Sequence, residues 1–446
     1  MQATRQLAER IAGTDYESIP PEARTVGKQA LMDFIGVAVA GAREPLAEIL
    51  ADRIAGDGGH PQAVLVGRPN RASVRQAAWF NGSAGHAHDY DDVHLAMTGH
   101  PTVPVAPVVL ALAEHRGRTG AEAVAAFCAG VDTECILGRY AGTGHYSAGW
   151  HATATLGSFG AAAAACALNE LDAATTAAAL GIAGTRAAGL KAQFGTMCKP
   201  LHAGEAAANG VEAADLAARG FTSRADILET DQGFMATQSP TSDLRRFGRA
   251  LGQPAYTQDI CFKYHAACYL THSSIEASRQ LRESNGFGPD DIAEVEIRVD
   301  PGHFKVCNIQ EPATGLEAKF SLRFTAAMAL AGLETVSIGA FTDELTTDER
   351  LVALRDRVQV KAHDTPTPDS IVTIRTGDGA EYTRACNVAI PMTDLDAQWR
   401  KLEAKFEALV GPSLGANAAA SLIDGCRRLD EIEDLTPLFN ALQTDS

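Results

Sequence analysis

The chain has 446 residues, 46% of them hydrophobic and 21% charged, and a formal net charge of −17 at neutral pH. That is more chain than one ordinary hydrophobic core needs, so two domains are expected. The acidic balance argues against a nucleic-acid partner, whose phosphates it would repel, and no apolar run approaches the roughly 20 residues of a membrane span. The opening MQATRQLAERIAG has no apolar signal core, and the nine cysteines contain no CxxC pair. Reduced thiols in a cytoplasmic chain are therefore expected, with neither a zinc ribbon nor an iron–sulfur ligand set. Small anionic substrates remain compatible, provided a few local cations build their site.

In chain order, helical periodicity dominates the first 250 or so residues. Val26, Ala30, Phe34 and Val37 share a face of a helix over 24–42, and further helices are predicted over 72–88, 102–116, 120–139, 152–169, 172–184 and 203–218. No phosphate-binding loop or dinucleotide fingerprint occurs among them. After 252-GQP-254 the pattern changes. Residues 294–299 and 357–362 alternate as strands, and 371–390 reads as a hairpin turning at Gly377-Asp378-Gly379. Helices are predicted between these strands at 272–284 and 317–331, and again at 395–410 and 414–427. The expected architecture is a large all-α domain formed by 1–256 and 395–446, with a smaller α+β domain over 257–394.

The densest chemistry lies in HAHDYDDVHLAMTGHP, residues 86–101, with four histidines and three aspartates. His86, His88, Asp89 and Asp92 are predicted to project from the last turns of the 72–88 helix. Pro101 holds His100 in an extended segment at the entrance of the next. His86-x-His88 with Asp91-Asp92-x-His94 could hold a metal, although the spacing matches no established pattern. His beside Asp also suits proton transfer or carboxylate binding near neutral pH. A helix end capped by aspartates, with solvated histidines, is the third reading.

Four further stretches carry candidates. His151, beside His145, Tyr146 and Trp150, precedes a run of small residues opening a helix, where free N–H groups favour an anion. Lys199 in 195-GTMCKPLHAGEAAANG-210 sits among apolar and small residues, with His202 three residues on; a desolvated lysine there is a usable base or a carboxylate anchor. Lys263 and His265 in 259-DICFKYHAACYLTHSS-274 fall at the domain junction, a common ligand location. Lys319 and Arg323 are four apart on one predicted helix face, the pattern of a solvated stripe. No nucleophile triad stands out.

Taken in order, GHAHDYDDVH…GHPTVPVAPVVLA, GWHATATLGSFGAAAAA, MCKPLHAGEAAANGVEAADLA, CFKYHAACYLTHSSIEA and EAKFSLRFTAAMAL resemble the MmgE/PrpD family over nearly the whole chain. The resemblance implies a homodimer without a cofactor, acting on a small polycarboxylate at a carbon next to a carboxylate. On matching positions it implies Asp89, His100, His151 and Lys199 as the catalytic set. Lys263 is implied as an anion contact, and Tyr146 and His265 are further expected substrate contacts. Where decarboxylase-like members carry Thr, Tyr and His, this chain has Val93, Phe324 and Cys268, and the loop before His100 is one residue longer. Those departures favour cofactor-independent epimerisation of iminodisuccinate. The alternatives are dehydration of a 2-methylcitrate-like hydroxy acid and decarboxylation of the cis-aconitate type. A metal-dependent hydrolase using 86–94, or a non-enzymatic binding protein, are the readings from other classes.

Overall fold

The computed structural model describes residues 2–365, 367 and 369–444. The chain divides into two compact units, Met1–Phe262 together with Thr393–Ser446, and Lys263–Met392. Among the described residues no helix is long and apolar enough to cross a membrane.

The larger unit opens with α1 (Ala3–Ala12), α2 (Pro21–Gly41) and α3 (Pro45–Asp57), then a short antiparallel pair, β1 (Ala63–Val64) and β2 (Arg71–Ala72). It continues through α4 (Val74–Gly85), α5 (Thr102–Arg116), α6 (Gly120–Ala141), α7 (Thr143–Ser147), α8 (Ala152–Leu168), α9 (Ala173–Arg186), α10 (Cys198–Ala218), α11 (Phe234–Gln238) and α12 (Leu244–Leu251). Local chemistry sets several of these ends. Capping boxes at Ser73/Gln76 and Thr119/Glu122 start α4 and α6. Pro45 at the first position starts α3, a helix that the periodicity did not reveal.

Two helices differ from expectation where it matters for the site. The helix predicted to 88 stops at Gly85: His86 leaves helical geometry (φ −98°, ψ 1°), the following N–H groups of Ala87 and Asp89 bond three residues back to Ala84 and His86, and Asp89 turns left-handed (φ +51°). Residues 86–92 are therefore a turn, and Asp89 and Asp92 leave it in different directions. The helix predicted from 203 begins at Cys198, since a proline in the first turn, Pro200, loses no intrahelical hydrogen bond.

The packing of this unit depends on small side chains. In α8 the run Ala161–Ala165 is fully buried, and α6, α9 and α10 all lie against it. Helices α4 and α10 cross at Gly82 and Gly204. A Cβ on Gly204 would stand 2.1 Å from Ser83 Oγ and 2.2 Å from the Trp79 carbonyl oxygen, so only glycine allows this approach. The crossing draws the C-terminal end of α4 toward the first turns of α10.

In the smaller unit α13 (Tyr269–Asn285) precedes β3 (Ile292–Val299), followed by α14 (Gly315–Ala318), α15 (Leu322–Leu330), α16 (Asp343–Thr346), α17 (Glu349–Asp356), β4 (Val358–Ala362), β5 (Ser370–Thr376) and β6 (Glu381–Cys386). The sheet runs β4-β3-β5-β6, parallel between β3 and β4 and antiparallel elsewhere. Val295, Ile297, Val299, Val372 and Ile374 face one core with Leu322, Ala326 and Leu330. The β5–β6 turn uses Gly379 at φ +89°. The helix predicted over 317–331 is broken: α14 ends at Ala318, and the Ser321 side chain caps a new helix by accepting from Phe324 N–H. Lys319 and Arg323 therefore do not share a helix face.

The chain then returns to the larger unit as α18 (Leu395–Leu414), α19 (Ala416–Arg427) and α20 (Thr436–Ala441), with α18 and α19 packed on α2.

Candidate active site

Four segments of the larger unit converge on one cluster. The turn after α4 supplies His86, Asp89 and Asp91, and the extended residue before α5 supplies His100. His151 stands at the N-terminus of α8, and the first turns of α10 carry Lys199 and His202. Each is held by its own backbone. His100 N–H donates to Thr153 Oγ1 at 3.1 Å, so the 99–100 segment lies on the start of α8. His151 N–H donates to the Gly189 carbonyl at 3.0 Å, and Lys191 N–H to the Gly149 carbonyl at 2.8 Å, which fastens the 187–194 segment beside α8.

Asp91 is the centre of the cluster. Its carboxylate lies 2.8 and 2.9 Å from His86 Nδ1. His100 Nδ1 is 3.0 Å from Asp91 Oδ2, at an angle short of a hydrogen bond. Burial alone would raise this carboxyl, but His100 and His86 outweigh it and hold it well below the usual carboxylate range. Asp91 is thus an ionised acid shared by two imidazoles, orienting both. His86 Nε2 is buried without a hydrogen-bond partner. The His86 ring stacks on His151 at 6.0 Å and meets His100 edge-on at 4.6 Å.

Asp89 faces the other way. Its Oδ1 accepts from Lys199 Nζ at 2.7 Å and lies 3.5 Å from His100 Nε2. Asp89 is 53% exposed and Lys199 15%, so this pair borders solvent whereas Asp91, at 2%, does not. Phe194 caps the rim: its ring meets His151 edge-on at 5.0 Å and lies 5.5 Å from Lys199 Nζ.

The buried imidazoles are neutral. Burial, opposed only partly by Asp91, pushes His86 down to about 4. Burial first, then the charges of His86, His100 and Lys199, holds His151 far below its ordinary value. His202 is lowered by burial and by Lys199, and its Nδ1 lies 3.1 Å from His151 Nδ1, so one ring donates and the other accepts. Tyr146 is raised by burial and by Asp89, and Lys191 Nζ sits 3.5 Å over its ring.

The metal ligands suggested by spacing do not assemble. His94 Nδ1 accepts from Ala96 N–H at 3.0 Å, and its Nε2 donates to the Tyr256 carbonyl at 3.0 Å. Asp92 accepts from the Thr102 hydroxyl at the start of α5, and His88 lies by the Ala40 carbonyl and Glu44. A different set, His86, Asp89, Asp91 and His100, has donor atoms within 4.8 Å of one another. The Lys199 ammonium already takes the Asp89 oxygen that would turn toward a cation there. The arrangement suits anions and protons better than a metal.

Of the residues expected from sequence, Asp89, His100, His151 and Lys199 come together in this unit, and Tyr146 lies close to Asp89. Lys263 and His265 belong to the smaller unit. There Lys263 is 2% exposed, while His265 places Nδ1 2.8 Å from Thr335 Oγ1 and Nε2 3.2 Å from Glu276 Oε1. Asp91, His86, His202 and Phe194 join the cluster from outside the set expected from sequence. His202 was signalled by its position one turn after Lys199; Phe194 gave no signal.

Two family models match the chain: the MmgE/PrpD N-terminal domain over residues 5–246 and the MmgE/PrpD C-terminal domain over 265–431. The chain is 26% identical to cis-aconitate decarboxylase of Homo sapiens, covering 99% of this chain and 95% of that protein. Against cis-aconitate decarboxylase of Aspergillus terreus (strain NIH 2624 / FGSC A1156) it is 25% identical over 98% of this chain and 95% of that protein. With the cis-aconitate decarboxylase-like protein oryM of Aspergillus oryzae it shares 29% over 63% of this chain and 62% of that protein.

Proposed function

The chain belongs to the MmgE/PrpD family, and from that premise we propose that it is a lyase decarboxylating a small unsaturated polycarboxylate of the cis-aconitate type. The observation that carries this reading is the pairing of a rim ammonium, Lys199, with neutral imidazoles behind it. A polycarboxylate exchanges places with Asp89 at Lys199 Nζ and brings negative charge against His151. Nearby negative charge favours imidazolium, so the site takes up a proton as it takes up substrate. The bond to the departing carboxylate then breaks, CO2 leaves, and the electron pair passes into the adjoining double bond and the carboxylate beyond it. The imidazolium protonates the far carbon of that system, giving a methylene diacid. Fixed cations at the carboxylate oxygens stabilise this charge where it develops. No step in this scheme calls for a cofactor, and a homodimer is part of the proposal, tested by light scattering.

Epimerisation of iminodisuccinate, the reading the sequence favours, is the second reading here and draws support from one feature. Val93 and Phe324 stand where decarboxylase-like members carry Thr and Tyr, so neither position offers a hydroxyl. Proton NMR separates the two reactions. With cis-aconitate, new methylene signals and released CO2 establish decarboxylation. With iminodisuccinate in D2O, loss of the α-proton signal without CO2 establishes epimerisation and displaces the decarboxylase reading.

A further inference from the structure

The C-terminal return helix α18 places a lysine where few proteins tolerate one. Lys405 is fully buried. Its Nζ lies 2.6 Å from Asp33 Oδ1 on α2, donates to the Tyr90 carbonyl at 2.8 Å, and stands 4.1 Å over the Tyr90 ring. Burying an ammonium and its partner carboxylate is costly, and well-packed apolar residues often serve stability equally well or better. The ion pair is therefore poorly explained by stability. Its position suggests another task, because Tyr90 separates Asp89, the partner of Lys199, from Asp91, the partner of His86 and His100.

We propose that Lys405 is a positioning residue: by gripping the Tyr90 carbonyl from behind, it sets the direction in which the backbone delivers Asp89 and Asp91 to the site. At Asp89 the backbone is left-handed (φ +51°), and the Lys405–Tyr90 hydrogen bond holds the chain one residue beyond it. Lys405 also supplies the buried positive charge facing Asp33 on α2 and Asp91 and Asp92 on the turn. The catalytic consequence rests on the acid–base reading above. The structural consequence, a fixed His86–Asp91–His100 arrangement, does not.

The test uses Lys405→Met and the double variant Asp33→Asn/Lys405→Met, which removes the lysine together with the carboxylate it pairs with on α2 if the single variant folds poorly. In ¹⁵N-histidine spectra recorded without substrate, the double variant should fold and show shifted His86 and His100 ring resonances. With whichever substrate the parent protein turns over, kcat should fall about 10- to 100-fold with KM little changed, the signature of misplaced groups. A double variant with parental thermal midpoint, histidine spectrum and kcat would overturn the proposal and leave Lys405 a structural residue. If the parent turns over neither substrate, the functional reading fails, and the histidine spectrum alone still decides the role of Lys405.

Discussion

Asp89 and Lys199 meet at 2.7 Å although 110 residues separate them in sequence. What joins them is the crossing of α4 and α10 at Gly82 and Gly204, one helix leading into the turn that bears Asp89 and the other beginning beside Lys199. The pair borders solvent, where an ion pair adds little to stability, about 0–1 kcal/mol. The role proposed for it is chemical.

Replacing Lys199 with alanine is therefore expected to leave circular dichroism and the thermal midpoint almost unchanged while removing turnover. His151→Gln should do the same, with losses on the order of 10²–10⁴ in kcat/KM as for other acid–base groups. Near-parental activity in either variant would remove that residue from the mechanism.

Proton uptake on binding is the second expectation. His151, His86 and His202 are all lowered in the ligand-free site, so a polycarboxylate that favours their charged forms must draw protons from solution. Calorimetric titration with a tricarboxylate in buffers of different ionisation enthalpy measures this directly. A binding enthalpy independent of buffer would mean that the imidazoles stay neutral in the complex.

Stability should carry the same signature in acid. Burial pushes His86 and His94 from 6.5 down to about 4, so the unfolded chain binds protons first. Their contribution is fully present above about 6.5 and is lost as pH falls toward 4. Asp92, pushed up to about 8 by burial, acts with the opposite sign, its contribution fading as pH rises from 3.8 through 8. The histidine term is thus read by difference. The urea midpoint of His94→Gln should fall less between pH 7 and 5 than that of the parent, and parallel curves would show that His94 does not titrate differently on folding.

The helix crossing gives a fourth test. Gly204→Ala forces a Cβ to within 2.2 Å of a backbone oxygen and should destabilise by about 1–3 kcal/mol or more, with loss of activity as α4 and α10 separate. Gly411→Ala on α18 meets nothing within 4 Å and should stabilise by about 0.5–1 kcal/mol. Thermal melts of the two variants moving in the same direction would contradict the packing described.

The helical character of the larger unit was legible because its signals are local, apolar spacing and glycine stops. The dense His/Asp run of 86–101 and a lysine among small residues at 199 marked candidate stretches, while the set Asp89, His100, His151 and Lys199 came from the family resemblance and its role is a proposal. What escaped was decided by tertiary packing. The helix predicted to 88 ends three residues earlier because the tight turn that begins at His86 leaves no mark in hydrophobic periodicity. The break between α14 and α15 depends on one serine hydroxyl, too small a feature to interrupt the apolar pattern of 317–331. Spacing joined His86, His88, Asp91, Asp92 and His94 as ligands. The fold instead divides them among a shared carboxylate, a helix start and a carbonyl 162 residues away. Lys405 lay beyond local reading altogether, since an isolated lysine on an amphipathic helix looks solvated.

The backbone at Asp89 has an evolutionary consequence. A non-glycine residue held in the left-handed region costs roughly 1 kcal/mol or more, and the exposed partnership with Lys199 returns little of it. Asp89→Gly is therefore expected to relieve the strain and, on the role proposed for Asp89, to give a sturdier protein without turnover. On that reading, a lineage released from the need for turnover would meet at this position a substitution that folding rewards.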